Sequence, residues 1–177
     1  MGFVPQGKAL LRSGALPGDF IYLTGSLGDA GLGLKICQGY HCVNPDAALK
    51  RFNQPYPQIE SGLSLVGIAN ACIDVSDGLA ADVGHILEQS NVGACLYWDN
   101  LPLSDAVKTY INDTGDWFMP LSAGDDYELC FTVSPEKAAQ LTIDCTKIGV
   151  IESKSGLRLL KSGTVQTLNT KGYEHFS

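Results

Sequence analysis

Ile73-Asp74-Val75-Ser76-Asp77-Gly78-Leu79 is the stretch on which the reading of this chain turns. The apolar run Cys72 to Val75 reads as a short buried strand. Gly78 to Ser90 reads as a helix, with Leu79, Val83, Ile86 and Leu87 on one face at helical spacing. A strand running into a helix delivers Asp74, Ser76 and Asp77 to the strand's carboxyl end, where sheets of this kind bind ligands. Two carboxylates so close repel each other, and a hard cation such as Mg²⁺, held by oxygen ligands, relieves that repulsion. Ser76 or Asp77 would equally serve as the helix N-cap. Asp74, an acid inside an apolar strand, moves the balance toward a metal site.

Two further stretches carry chemistry-bearing residues. Downstream, Ser122-Ala123-Gly124-Asp125-Asp126-Tyr127-Glu128-Leu129 sets acids between a glycine and a strand expected over Tyr127 to Val133. Within that strand Glu128 would alternate with Tyr127 across the sheet. The acids could bind a metal, pair with a cationic substrate, or form a solvated turn. Upstream, a strand over Phe20 to Thr24 leads into Thr24-Gly25-Ser26-Leu27-Gly28-Asp29 and a helix over Ala30 to Gly39. Gly25, Gly28 and Asp29 could place backbone N–H groups around a phosphate. The loop lacks the lysine of a P-loop, and a plain tight turn fits its spacing as well. Gly31 and Gly33 weaken the helix by about 1 kcal/mol each relative to alanine. Asp82 and His85 share a helix face and fit either a metal or a local hydrogen bond.

The rest of the chain alternates helices and strands early and gathers strands late. Helices are expected over Pro45 to Phe52, Ile59 to Asn70 (Leu63, Val66, Ile68 and Ala69 inward), from a Ser104 cap to Tyr110, and after Ser134-Pro135-Glu136-Lys137. Strands are expected over Gly93 to Trp98, Thr146 to Ile151, and Leu157 to Leu160 paired with Thr164 to Leu168 as a hairpin. The pattern is that of an α+β domain, a mixed sheet with helices packed on it in an αβα sandwich.

Composition sets the outer bounds. The 177 residues suit one domain, and 45% hydrophobic with 18% charged residues is globular composition. The net charge of −7, without any Lys/Arg cluster, argues against a nucleic-acid partner. An acidic protein handling phosphates needs a metal to offset the repulsion. No apolar stretch has membrane-spanning length and no signal peptide is evident, so no membrane partner and a cytoplasmic location are expected. The six cysteines form no C-x-x-C pair, and Cys72, Cys95 and Cys130 read as small buried hydrophobes.

Taken in order, the opening Gly-Phe-Val-Pro-Gln-Gly-Lys-Ala-Leu-Leu-Arg-Ser-Gly-Ala-Leu-Pro-Gly-Asp, the Thr24–Asp29 loop, Ile73–Leu79 with Asp82, Gly124–Leu129 and the closing Lys-Gly-Tyr-Glu-His-Phe resemble the thiamine-monophosphate kinase family. That family sits in a superfamily with aminoimidazole ribonucleotide synthetase and selenophosphate synthetase. The resemblance implies the superfamily's carboxy-terminal fold and transfer of the ATP γ-phosphoryl to thiamine monophosphate with Mg²⁺. It implies Asp74 and Asp77 as Mg²⁺ ligands, Ser76 as an ATP contact, Asp125 or Glu128 facing thiamine, and Tyr173 stacking near its rings. Asp126 joins Gly25, Gly28, Asp29 and Asp82 as a lesser candidate. Family members carry an amino-terminal half with further metal and ATP contacts and the dimer interface. Residues 1–19 are therefore expected to be a lead-in strand and linker from that half, and 20–177 the carboxy-terminal kinase domain. The expectation is a chain inactive alone, with that half as partner and a homodimer for the longer enzyme. A non-catalytic binding module, or the equivalent domain of another ATP-dependent synthetase, is the alternative.

Overall fold

Seven short apolar runs pair into one mixed sheet in a computed structural model that describes residues 4–168. The strands are β1 (Phe20–Leu23), β2 (Ala71–Asp74), β3 (Gly93–Tyr97), β4 (Leu129–Val133), β5 (Thr146–Glu152), β6 (Gly156–Lys161) and β7 (Thr164–Leu168). Their order across the sheet is β2-β4-β1-β5-β3-β6-β7, and every neighbouring pair is antiparallel except β3 with β6. The helices are α1 (Asp29–Cys37), α2 (Asp46–Asn53), α3 (Ile59–Ser64), α4 (Leu79–Ser90), α5 (Asp105–Thr114) and α6 (Met119–Ser122). The α+β mixed sheet expected from the sequence is the fold observed.

The period-two geometry of strands sorts neighbours into different cores. Leu23, Ile73 and Cys130 join the main core beneath Leu79, Val83, Ile86 and Leu87 of α4. Tyr22, Cys72 and Phe131 pack instead with Leu65, Ile68 and Leu141. A third cluster holds α1, α2 and α5 together through Leu32, Ala48, Val107 and Tyr110. In the register, Leu129 lies opposite Asp74, and Cys130 lies opposite Leu23. The carboxyl ends of β1 and β2 therefore meet the start of β4 at one end of the sheet, and this junction positions the site.

Several boundaries differ from expectation. The helix from Ile59 stops at Ser64, because Gly67 takes a left-handed conformation (φ +84°) and the chain must turn for the Asn70 N–H to reach Thr132 O at 2.8 Å. Leu63, expected inward, is 69% exposed, while Leu65 is fully buried. The strand expected from Tyr127 begins at Leu129, since Asp125 and Tyr127 have positive φ and break the pleat. The stretch after Ser134 makes only a short 3₁₀ turn, Ala138–Gln140. Among the described residues no strand precedes Phe20, although Leu11 O accepts the Cys72 N–H at 2.8 Å beside β2. The Ser104 cap is as expected, its hydroxyl accepting the Val107 N–H, but α5 runs on to Thr114.

The glycines of α1 have a packing reason. A Cβ on Gly33 would lie 2.6 Å from Ala48 O and 2.6 Å from Phe52 Cβ of α2. A Cβ on Gly31 would lie 2.4 Å from the Ala123 Cβ. Gly33→Ala gains about 1 kcal/mol of helix propensity, but overpacking typically costs about 1–3 kcal/mol. Chemical denaturation should find Gly33→Ala less stable than the natural chain, the reverse of the propensity order.

Candidate functional site

The three sequence stretches converge at the strand junction through backbone pairing. The Val75 N–H donates to Glu128 O (2.7 Å), the Tyr127 N–H to Val75 O (2.8 Å) and the Asp125 N–H to Ser76 O (3.0 Å). The acidic run thus zips along the Asp74–Asp77 loop. Gly124 is required at this approach, because a Cβ there would lie 2.3 Å from Ser76 O.

The acids at this junction divide into buried and exposed sets. Glu128, 2% exposed, accepts from the Thr24 hydroxyl (2.5 Å), from Gln58 Nε2 (2.9 Å) and from Arg51 Nη2 in a salt bridge. The same Arg51 nitrogen donates to Asp126 O at 2.8 Å, and Arg51 Nε is buried without a partner. Asp126 is fully buried and accepts the Gly28 N–H (2.8 Å) and the Ala30 N–H (3.3 Å). Burial pushes its carboxyl up to about 7, against the pull of those two N–H donors. Asp29 accepts from the Ser26 hydroxyl and the Ser104 hydroxyl, both at 2.6 Å. Asp82, 2% exposed, accepts the Ser76 and Asp77 N–H groups on one oxygen at 3.0 Å each, and burial raises it to about 6.

These contacts revise the expectation for the glycine loop. The Gly28 and Ala30 N–H groups at the start of α1 are taken by Asp126, so they are not free to cradle a phosphate. Gly25 has φ +52°, and a Cβ on it would lie 2.2 Å from Glu128 Oε1. Gly28 has φ +81° and abuts Pro120. Gly28, Asp126 and Glu128 form an internal scaffold, whereas Gly25 is exposed and Asp29 lines a cavity of about 450 Å³ with Arg51 and Ser104.

The remaining candidates face outward. Asp74, Asp77 and Asp125 are exposed and Ser76 is half-buried. Ser76, Asp77, Asp125 and Tyr127 line a cavity of about 530 Å³ together with Gly31 and Phe52. Asp74 lines another cavity, with Arg12 and Gln58. The Tyr127 hydroxyl donates to Asp125 Oδ1 at 3.1 Å, and the charges of Asp125, Asp74 and Asp77 all raise its pKa. Asp74 and Asp77 thus line different cavities. Exposed oxygen donors held on a pinned loop suit Mg²⁺. Tyr173 lies outside the described residues. Sequence reasoning missed Arg51, Gln58 and Thr24. The only hint was that acids leading into an apolar strand demand a cation, and nothing local says that it stands on α2.

Comparison with known proteins gives the chain a family. Residues 17–160 match the family described as AIR synthase related protein, C-terminal domain, and the chain belongs to that family. Within it, the chain is similar to thiamine-monophosphate kinases. It is 41% identical to the one from Escherichia coli (strain K12) over 188 residues, which is 99% of this chain and 58% of that protein. The crystal structure of thiamine-monophosphate kinase from Stenotrophomonas maltophilia K279a superposes with TM-score 0.79 at 36% identity, over 88% of this chain and 54% of that one. AaThiL complexed with AMPPCP and TMP superposes with TM-score 0.81 at 31% identity, over 94% of this chain and 54% of that one. The chain thus spans somewhat over half the length of the relatives it matches. No described helix is long and apolar enough to cross a membrane.

Two outcomes follow from the buried acids. Arg51→Ala strands the Glu128 carboxylate and should destabilise the domain by about 3–5 kcal/mol in urea titrations. The Asp126 carboxyl titrates near 7 when folded and near 4 when unfolded. It therefore binds more protons in the folded state between those values, and its contribution to stability falls as pH rises through that window. The stability of the natural chain relative to Asp126→Asn should fall from about pH 4 to about pH 7 and then level off.

Proposed function

We propose that this chain is the carboxy-terminal domain of a kinase that transfers the ATP γ-phosphoryl to thiamine monophosphate. The observation that carries the reading is the division of acids. Asp126, Glu128, Asp29 and Asp82 are consumed by internal hydrogen bonds, whereas Asp74 at the end of β2 and Asp77 on the loop after it, which Asp82 clamps, stand exposed.

In this reading Asp74 and Asp77 hold Mg²⁺, and Ser76 contacts ATP from the same turn. Bound Mg²⁺ would neutralise charge on the phosphates, which is most of what phosphoryl transfer asks of a protein beyond positioning. Asp125 faces the cationic thiamine from the rim of the 530 Å³ cavity, because Glu128 is already neutralised by Arg51. Tyr173, outside the described residues, is assigned to stacking near the thiamine rings. Residues 1–19 lead in from an amino-terminal half that supplies further metal and nucleotide contacts. That half is the domain's partner, the longer enzyme is a homodimer, and its location is cytoplasmic. Similarity to thiamine-monophosphate kinases over 99% of this chain but 58% of the relative supports this division of labour.

The test uses two forms of the protein. This chain alone, given ATP, Mg²⁺ and thiamine monophosphate, should form no thiamine diphosphate above background. Fused behind the amino-terminal half of the Escherichia coli relative, it should turn over, and Asp74→Asn or Asp77→Asn in that fusion should slow it by at least about 100-fold. An active fusion that keeps its full rate with both substitutions would refute the metal assignment.

A further inference from the structure

Asp82 clamps the Ser76–Asp77 loop with one oxygen only. Oδ2 accepts both backbone N–H groups, leaving Oδ1 without a partner among the described residues. His85 stands three residues on, over the same face of α4, and its imidazole borders a cavity of about 570 Å³ with Glu88 and Asn91. Asp77 overhangs the two from the loop. One ligand atom from each of Asp77, Asp82 and His85 lies within 4.8 Å of the other two.

We propose that Asp77, Asp82 and His85 form a binding site for a borderline divalent transition metal, with Zn²⁺ as the type ion. The donor set makes the case. An imidazole nitrogen with two carboxylate oxygens is a ligand set that zinc-like ions accept, whereas Mg²⁺ prefers oxygen throughout. The geometry is close to closing. Metal–ligand bonds of about 2.1 Å in a tetrahedral centre put ligand atoms about 3.4 Å apart. The present spacing reaches that value by side-chain rotation, because Asp77 is exposed and His85 is only half-buried. Asp82 needs no rearrangement, since its two N–H donors already fix it. They act as an outer shell that orients the ligand. Loop clamping explains Asp82 by itself, but it gives no role to an imidazole one turn away. The fourth position faces solvent and takes a water.

Asp77 also belongs to the proposed Mg²⁺ seat, so a metal bound here withdraws that carboxylate and opposes Mg²⁺. That consequence rests on the proposed function; the binding itself does not.

The experiment is calorimetric titration of ZnCl₂ into the chain in Mg²⁺-free buffer. It uses a Cys37→Ser, Cys42→Ser, Cys145→Ser background, because those thiols are the ones that reach solvent and would bind zinc themselves. One equivalent should bind, His85→Gln should weaken it at least tenfold, and His85→Cys, which restores a zinc ligand, should recover it. Co²⁺ should give the intense visible absorption of a low-coordinate site, lost in His85→Gln. No saturable binding, or binding unmoved by His85→Gln, would overturn the proposal. Asp74→Asn lies outside this ligand set and should leave zinc binding intact whatever it does to phosphoryl transfer, so failure of either reading can be told from failure of the other.

Discussion

The buried pair of Glu128 and Arg51 is the contact on which the rest of the site depends. Glu128 leads into β4 directly after a left-handed residue, and Arg51 reaches it from α2 across the start of β4. Taking a carboxylate out of water costs several kcal/mol unless it is paired and hydrogen-bonded. Three side chains from three different segments do this: Thr24 after β1, Arg51 on α2 and Gln58 before α3. Losing any of them leaves the carboxylate worse satisfied. A single charge thereby ties three remote parts of the chain, at Thr24, at Arg51 with Gln58, and at Glu128.

Asp126 extends the same logic one residue back. It replaces water for the orphan N–H groups at the start of α1, which a helix N-terminus would otherwise present to a ligand. The glycine loop is then held on one side by Asp126 and on the other by Asp29 with Ser26 and Ser104. Its glycines answer to sterics: the Glu128 carboxylate fills the place of a Gly25 side chain, and Pro120 that of Gly28. What resembles a phosphate cradle in one dimension is, in three, the socket for a protein carboxylate.

How much of this the sequence carried depends on range. Local signals were readable: the strand-to-helix turn at Ile73–Leu79, the Ser104 cap, the β6–β7 hairpin and the burial of Cys72, Cys95 and Cys130. The α3 overrun was not, because Leu63, Val66, Ile68 and Ala69 keep helical spacing while Gly67 breaks the helix among them. The strand start at Tyr127 failed for a related reason, since a positive φ at a tyrosine is fixed by the pairing with Val75 and not by its own preference. The roles of Asp125 and Glu128 could not be separated by letters alone. Their difference is Arg51, 77 residues away along the chain.

The division of acids also explains why so acidic a junction is stable without a basic cluster. Arg51 is the one cation in the salt bridge there, yet Asp29, Asp82 and Asp126 are buried too. Each is answered by neutral donors, two serine hydroxyls for Asp29 and backbone N–H pairs for the other two. Dipoles stabilise an ionised oxygen without adding an opposite charge, and where they are insufficient the group's affinity for protons rises, as at Asp126 and Asp82. The scaffold therefore brings few positive charges to the rim where Asp74 and Asp77 stand. A rim left negative in this way attracts small divalent cations and repels bare phosphates, so in the proposed kinase a metal would have to bind before a phosphate at this edge of the sheet.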